Sequence, residues 1–285
     1  MPLDLAAADA LVARYPLARR TTPHGAVSYR EAGAGPALVL LHGIGSQSGS
    51  WVYQLAALGS RFRVLAWDAP GYGESEPLAG EAPAADDYAG SLAALLDGLG
   101  VEHAVLVGSS LGALVAGAFA ARWPRRATGL VLLNPAGGYG RASAAEREEK
   151  LAARLDRLAR LGPRGMAEDL SPGMLSPGAS AEARALAAWS TAAIRPAGYT
   201  QAARMLANGR LVEDAARYPG PVLVVATTAD TITPAAECER IARAFPGGRF
   251  RLLEGLGHLS YLEAAATVGD LIAAFAARGV QEAQT

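Results

Sequence analysis

One cysteine, four histidines and a 6% share of aromatic residues leave this chain few of the groups that carry redox, metal or stacking chemistry. No disulfide forms within the chain, and 285 residues with 51% hydrophobic content bury one large core without one. Cys238 reads as a packed thiol in a reducing compartment, because nothing near it in sequence stabilises a thiolate. An excess of either charge is also missing: 26 Lys and Arg stand against 27 Asp and Glu, interspersed. No whole-molecule field recruits nucleic acid or an anionic membrane, so the expected partner is a small molecule. Long apolar runs are absent as well. GALVAGAFAA is the longest candidate and is too short for a membrane span before Arg122 follows. The N-terminus MPLDLAAADALVARYPLARR has an acidic residue at position 4 and lacks the apolar core of a secretory signal. A cytoplasmic protein of one domain with an insertion is expected.

The chain does have an alternation of strand and helix. Leu3, Leu5, Leu11, Val12 and Tyr15 share one helical face and predict a short amphipathic helix over 3–16, packed on the body, with a homo-oligomer contact as the alternative. Strands are predicted at AVSYRE, ALVLLH (37–42), RVLAWD (63–68), AVLVG (104–108), LVLLN (130–134), PVLVVAT (221–227) and RFRLL (249–253). Continuous apolar strands suit a sheet covered on both faces. Helical stretches at 85–99, 110–122, 235–245 and 262–277 lie between them, which predicts an α/β fold with a doubly wound, mostly parallel sheet. AVSYRE follows too closely on the preceding residues for a crossover helix and predicts an antiparallel hairpin edge. Between about 137 and 214 no strand-like run occurs. AAEREEKLAARLDRLARL predicts one long helix there, with its charges on a solvated face, and SPGMLSPGAS, with Pro172 and Pro177, interrupts the helical pattern beyond it.

GSSLG at 108–112 fits G-x-S-x-G, directly after an apolar strand and before a helical stretch. With 33 glycines, about 0.2 such matches arise by chance, so the strand-turn-helix context carries the signal. A serine hydroxyl is a poor nucleophile until a base takes its proton, and a third group must hold the base. After PVLVVAT, the loop TADTITP offers Asp230; after RFRLL, the loop EGLGHLSYLE offers His258. The C-terminal ends of parallel strands share one rim, so Ser110, Asp230 and His258 can converge. Asp68, at the end of RVLAWD, is the competing carboxylate and reads as a turn-fixing residue. His24, His42 and His103 lie elsewhere. HGIG at 42–45 and the start of the helix after Ser110 predict two backbone donors for an oxyanion, the N–H groups of Ile44 and Leu111, with Gly43 and Gly45 allowing close approach.

The succession AVSYREAGAGPALVLLHGIG, RVLAWDAPGYGES, VLVGSSLGALVAGAFAARWP, LVLLNPAG, PVLVVATTADTITP and LGHLSYLE resembles the α/β-hydrolase superfamily over residues 25–278. The branch it looks like holds 3-oxoadipate enol-lactonases, carboxylesterases and the carbon–carbon hydrolases of ring-cleavage products. That resemblance implies a core formed by 1–136 and 215–285 and a helical cap over 137–214. It implies a serine hydrolase with Ser110, Asp230 and His258 as its triad, and no metal or organic cofactor. Dehalogenases and epoxide hydrolases of the superfamily carry Asp where this chain has Ser110.

The expected reaction is hydrolysis of a small or medium carboxylic ester or lactone through an acyl-Ser110 intermediate. Carbon–carbon hydrolysis of ring-cleavage dienoates is the alternative, and a non-catalytic ligand sensor is the second. Those carbon–carbon hydrolases commonly have Asn before the nucleophile and Trp after the histidine, where this chain has Ser109 and Leu259. Pocket candidates are Gly43, Ser109, Trp51, Tyr139, Met166, Trp189 and Leu259, with core packing the alternative for the large ones. Arg184 and Arg195 are candidates for holding a substrate carboxylate, with a solvated surface role as the alternative.

Overall fold

Side chains alternate across a strand, so a strand that is apolar at every position needs a packed layer on each face. The computed structural model of this chain describes residues 5–171 and 173–282. Its strands are β1 (Ala18–Thr22), β2 (Gly25–Ala32), β3 (Ala37–Leu41), β4 (Arg63–Trp67), β5 (Ala104–Ser109), β6 (Ala127–Leu133), β7 (Pro221–Thr227) and β8 (Gly247–Leu253). They form one eight-stranded sheet in the order β1-β2-β4-β3-β5-β6-β7-β8. β1 and β2 form the antiparallel hairpin their short connection requires, β2 also pairs antiparallel with β4, and the strands from β4 on to β8 in the sheet order pair parallel.

The two layers follow from the pleat. Leu38 and Leu40 of β3 and Val105 and Val107 of β5 are buried with α2 (Val52–Leu58) and α11 (Ala265–Glu282). Val39, Leu41 and Leu106 face the other way, into α3 (Ala85–Gly98), α4 (Gly112–Arg122) and α9 (Ala235–Ala244). Each fully buried Leu or Val of this kind contributes about 1.5–3 kcal/mol. No helix among the described residues is long and apolar enough to cross a membrane.

Some predicted boundaries move. α1 spans Leu5–Val12, shorter than 3–16; Leu3 lies outside the described residues, and Pro16 follows the turn that ends the helix. The helix predicted at 110 begins at Gly112, because Ser110 has φ +51°. The helix predicted over 262–277 is two: α10 (Ser260–Glu263) and α11, separated at Ala264, whose backbone leaves the helical region at φ −126° and ψ 52°.

Between β6 and β7 lie α5 (Ala144–Glu168), α6 (Ala181–Ala192), α7 (Pro196–Asn208) and α8 (Leu211–Ala215). Ser143 and Ser180 cap α5 and α6 by accepting the N–H groups of Glu146 and Ala183. α5 breaks at Gly162, φ 60° and ψ 175°, and Pro163 opens its last turn, so the uninterrupted helix ends at Leu161. Of the two prolines predicted to interrupt the helical pattern, Pro172 lies outside the described residues and Pro177 sits in a non-helical segment. Leu158, Met166, Ile194, Tyr199 and Ala203 form a small core within this insertion, and Ile44 packs against it from below. α8 instead joins the main core through Leu211 and Ala215.

Candidate active site

Ser110 sits between the last residue of β5 and the first turn of α4 with φ +51°, a left-handed conformation that strains a non-glycine residue. The surroundings enforce it: Ser110 N–H donates to Leu133 O at 3.0 Å, and Ser110 O accepts from Ala113 and Ala136 N–H, each at 3.1 Å. The flanking glycines are dictated by the close approach of strand and helix. A Cβ on Gly112 would fall 2.2 Å from Leu41 O, and one on Gly108 would fall 2.6 Å from Gly112 O.

β7 and β8 end on the same rim and deliver the second and third groups. His258 Nδ1 lies 2.7 Å from Asp230 Oδ2. That oxygen also accepts from Asn134 Nδ2 at 2.8 Å and Thr233 Oγ1 at 2.7 Å, while Oδ1 accepts the N–H groups of Ile232 at 2.7 Å and Thr233 at 3.1 Å. Burial alone works to raise the Asp230 pKa, but bonds from His258 and Thr233 and the charge of His258 outweigh it and hold the carboxyl below its ordinary range. Asp68 makes no contact with His258. It accepts from Ser48 N–H and Ser28 Oγ, each at 2.7 Å, and so ties β2 to the loop after β3.

The His42–Ser46 loop is pinned by its carbonyls. His42 Nδ1–H donates to Gly43 O at 2.8 Å, Tyr72 O–H donates to Ile44 O at 2.8 Å, and the Thr191 hydroxyl reaches Gly45 O at 3.1 Å. His42 Nε2 accepts from Ala69 N–H at 3.0 Å, which makes the neutral tautomer the one the bonding requires. Burial accordingly pushes the His42 pKa down, against the raising effects of the Gly43 bond and Asp68. Among the described residues neither Ile44 N–H nor Leu111 N–H donates to an internal acceptor.

Ser110 and His258 line one cavity of about 80 Å³. Gly43, Ile44, Tyr139 and Leu259 line it as well. Four other pocket candidates do not. Trp51 is buried in the core, stacked on Tyr261 at 4.1 Å between ring centroids. Met166 belongs to the core of the insertion, and Trp189 packs over Gly49 and Val12 and donates its indole N–H to Asp9. Ser109 is fully buried with its hydroxyl unpartnered, outside the cavity lining. Arg184 and Arg195 are likewise placed elsewhere, tied to the carbonyls of Ser176 and Pro177 and of Gly73 and Ser75.

Sequence reasoning passed over Asn134, Thr233 and Arg154. Asn134 has φ +46° and bridges Asp230 to Thr227 Oγ1, 2.7 Å away; its signal was a polar residue ending the apolar run of β6 on the shared rim. Thr233 was visible only as one of several residues in the Asp230 loop. Arg154, on α5, lines the cavity. Among the described residues no three His, Cys, Asp or Glu side chains converge as metal ligands.

Similarity to known proteins runs along the same lines. The thermophilic esterase from Thermogutta terrifontis, solved with malate bound, is 27% identical and superposes with a TM-score of 0.82, over 93% of this chain and 99% of that one. The enol-lactonase from Burkholderia xenovorans is 25% identical with a TM-score of 0.81, over 90% and 99%. A 2-hydroxy-6-oxo-6-phenylhexa-2,4-dienoate hydrolase of Comamonas testosteroni is 35% identical over 118 residues, 40% of this chain and 41% of that protein. Matches to the curated relatives span between 32% and 63% of those proteins' own lengths. Residues 38–271 match the family described as Alpha/beta hydrolase family, and the chain belongs to it.

Proposed function

We propose that this protein is a serine hydrolase of small carboxylic esters or lactones that works through an acyl-Ser110 intermediate. The observation that carries the reading is the His258–Asp230 bond of 2.7 Å beside a cavity that also holds the strained Ser110. His258 takes the Ser110 proton at Nε2 as the oxygen attacks the carbonyl carbon, while its Nδ1–H donates to Asp230. The tetrahedral oxyanion receives the free N–H groups of Ile44 and Leu111, preset by a loop whose carbonyls are already bonded. His258 then protonates the leaving oxygen, and a water activated by the same ring releases the acid. The insertion serves as the cap, contributing Tyr139, Arg154, Ala187, Ser190 and Leu206 to the cavity.

Carbon–carbon hydrolysis is the second reading, favoured by the 35% identity to the dienoate hydrolase over 118 residues. Against it, Leu259 gives the cavity an aliphatic surface directly after the histidine, where those hydrolases commonly have Trp. Ser110→Ala is expected to lower turnover of the best ester by at least about a thousandfold with the fold intact, and a phosphonate reagent to label Ser110 in the parent. Near-parent turnover by Ser110→Ala refutes the mechanism. A ring-cleavage dienoate hydrolysed with a specificity constant at least about tenfold above those of short esters and an enol-lactone refutes the substrate class.

A further inference from the structure

In a cavity with a mostly apolar surface, a few convergent polar groups fix the orientation of what binds there. Three such groups come from the insertion and the segment leading into it. Arg154 Nη1 donates to Lys150 O at 3.0 Å and Nη2 to Tyr139 Oη at 3.1 Å. A guanidinium carries five N–H donors, so three remain. Tyr139 accepts from Arg154, which leaves its own O–H proton free to donate. Ser190 is 2% exposed, and its Oγ has no hydrogen-bond partner.

All three residues line the cavity that holds Ser110, and no aspartate or glutamate is among the described residues lining it. Arg154 is also without an ion-pair partner among the described residues, as are Arg147 and Arg164 of the same helix, whereas Lys150 pairs with Glu146, Arg157 with Asp169 and Arg160 with Asp156; of the unpaired three, only Arg154 lines the cavity. Surplus donors of positive charge and no anion of the protein's own describe a site complementary to a carboxylate, whose two oxygens suit a guanidinium fork and a phenol together.

We propose that Arg154, with Tyr139 and Ser190, binds a free carboxylate on the substrate, so that the substrate is a small monoanionic ester or lactone, such as a half-ester of a short dicarboxylic acid. This rests on the reading of Ser110 as the nucleophile toward a carboxylic ester.

The test compares monomethyl glutarate with methyl valerate, which differ by a carboxylate in place of a methyl group. The ratio of their specificity constants is expected to be about tenfold or more in favour of monomethyl glutarate in the parent and to collapse toward one in Arg154→Met. Independently of turnover, calorimetric binding of monomethyl glutarate to Ser110→Ala is expected to weaken by about tenfold or more when Arg154→Met is added. A parent that prefers methyl valerate, a ratio that survives Arg154→Met, or binding indifferent to Arg154 overturns the proposal. Absent turnover with Arg154-dependent binding intact would instead overturn the hydrolase reading and leave the carboxylate site standing.

Discussion

Asn134 offers a test that separates backbone strain from side-chain bonding at the site. Its Nδ2 donates to the ionised Asp230 at 2.8 Å, its Oδ1 accepts from the buried Ser260 hydroxyl at 3.3 Å, and its φ is +46°. Asn134→Gly removes these two bonds and the Nδ2 bond to Thr227 Oγ1 at 2.7 Å, and keeps the backbone comfortable. The lost bond to a carboxylate costs about 2 kcal/mol, and the lost bonds to the Ser260 and Thr227 hydroxyls about 1 kcal/mol each, so a loss of about 4 kcal/mol is expected. Asn134→Ala incurs the same losses and adds about 1 kcal/mol for a Cβ in the left-handed region. Urea titrations of parent, Gly and Ala variants should therefore rank in that order, with the Ala variant the least stable. Turnover of the best ester should fall about tenfold or more in both variants, because Asp230 loses one of the donors that fix its orientation toward His258. Equal stability of all three proteins, or an Ala variant more stable than Gly, refutes the reasoning.

The depressed pKa of Asp230 has a defined sign: its contribution to stability is complete above the unfolded value near 4 and is lost as pH falls through the lower folded value. Urea titrations below about pH 5 should show a steeper loss for the parent than for Asp230→Asn, and identical acid slopes would count against the depressed value. Cys238, buried and with its thiol pushed up to about 12, should resist iodoacetamide at pH 8 in the folded protein and react once denatured; rapid alkylation of the folded protein would refute the assignment of an inert thiol.

The proposed catalytic groups were legible because strand topology places them. Ser110 directly follows β5, and Ile44, Asp230 and His258 lie in the loops that leave β3, β7 and β8; a parallel sheet brings such positions to one rim whatever their separation in sequence. The cavity walls obey no such rule. Trp51 and Trp189 were candidates because they are large, yet one stacks on Tyr261 inside the core and the other anchors α1, two contacts set by long-range packing. Arg154 was hidden for the opposite reason. It stands among Arg147, Lys150, Arg157 and Arg160 on one long helix, alike in charge and spacing, and only the rotation of α5 about its axis decides which cation meets the cavity. Asn134 was missed because its importance lies in a backbone angle and in a bond to a loop far along the chain.

That division extends to how the insertion relates to the core. The segment between α5 and α6 is bound to the loop of the proposed base: Gly173 O accepts His258 N–H at 2.9 Å and Met174 O accepts Leu259 N–H at 3.0 Å. Glu263 closes the same junction by accepting the N–H groups of Ser176 and Gly257. On the opposite side Thr191 of α6 reaches Gly45 O, in the loop that offers the oxyanion donors, while α1 holds α6 through Asp9 and Trp189. Each neutral bond contributes only about 0.5–1.5 kcal/mol net. Together they make the geometry of the base and of the donors depend on the insertion being seated.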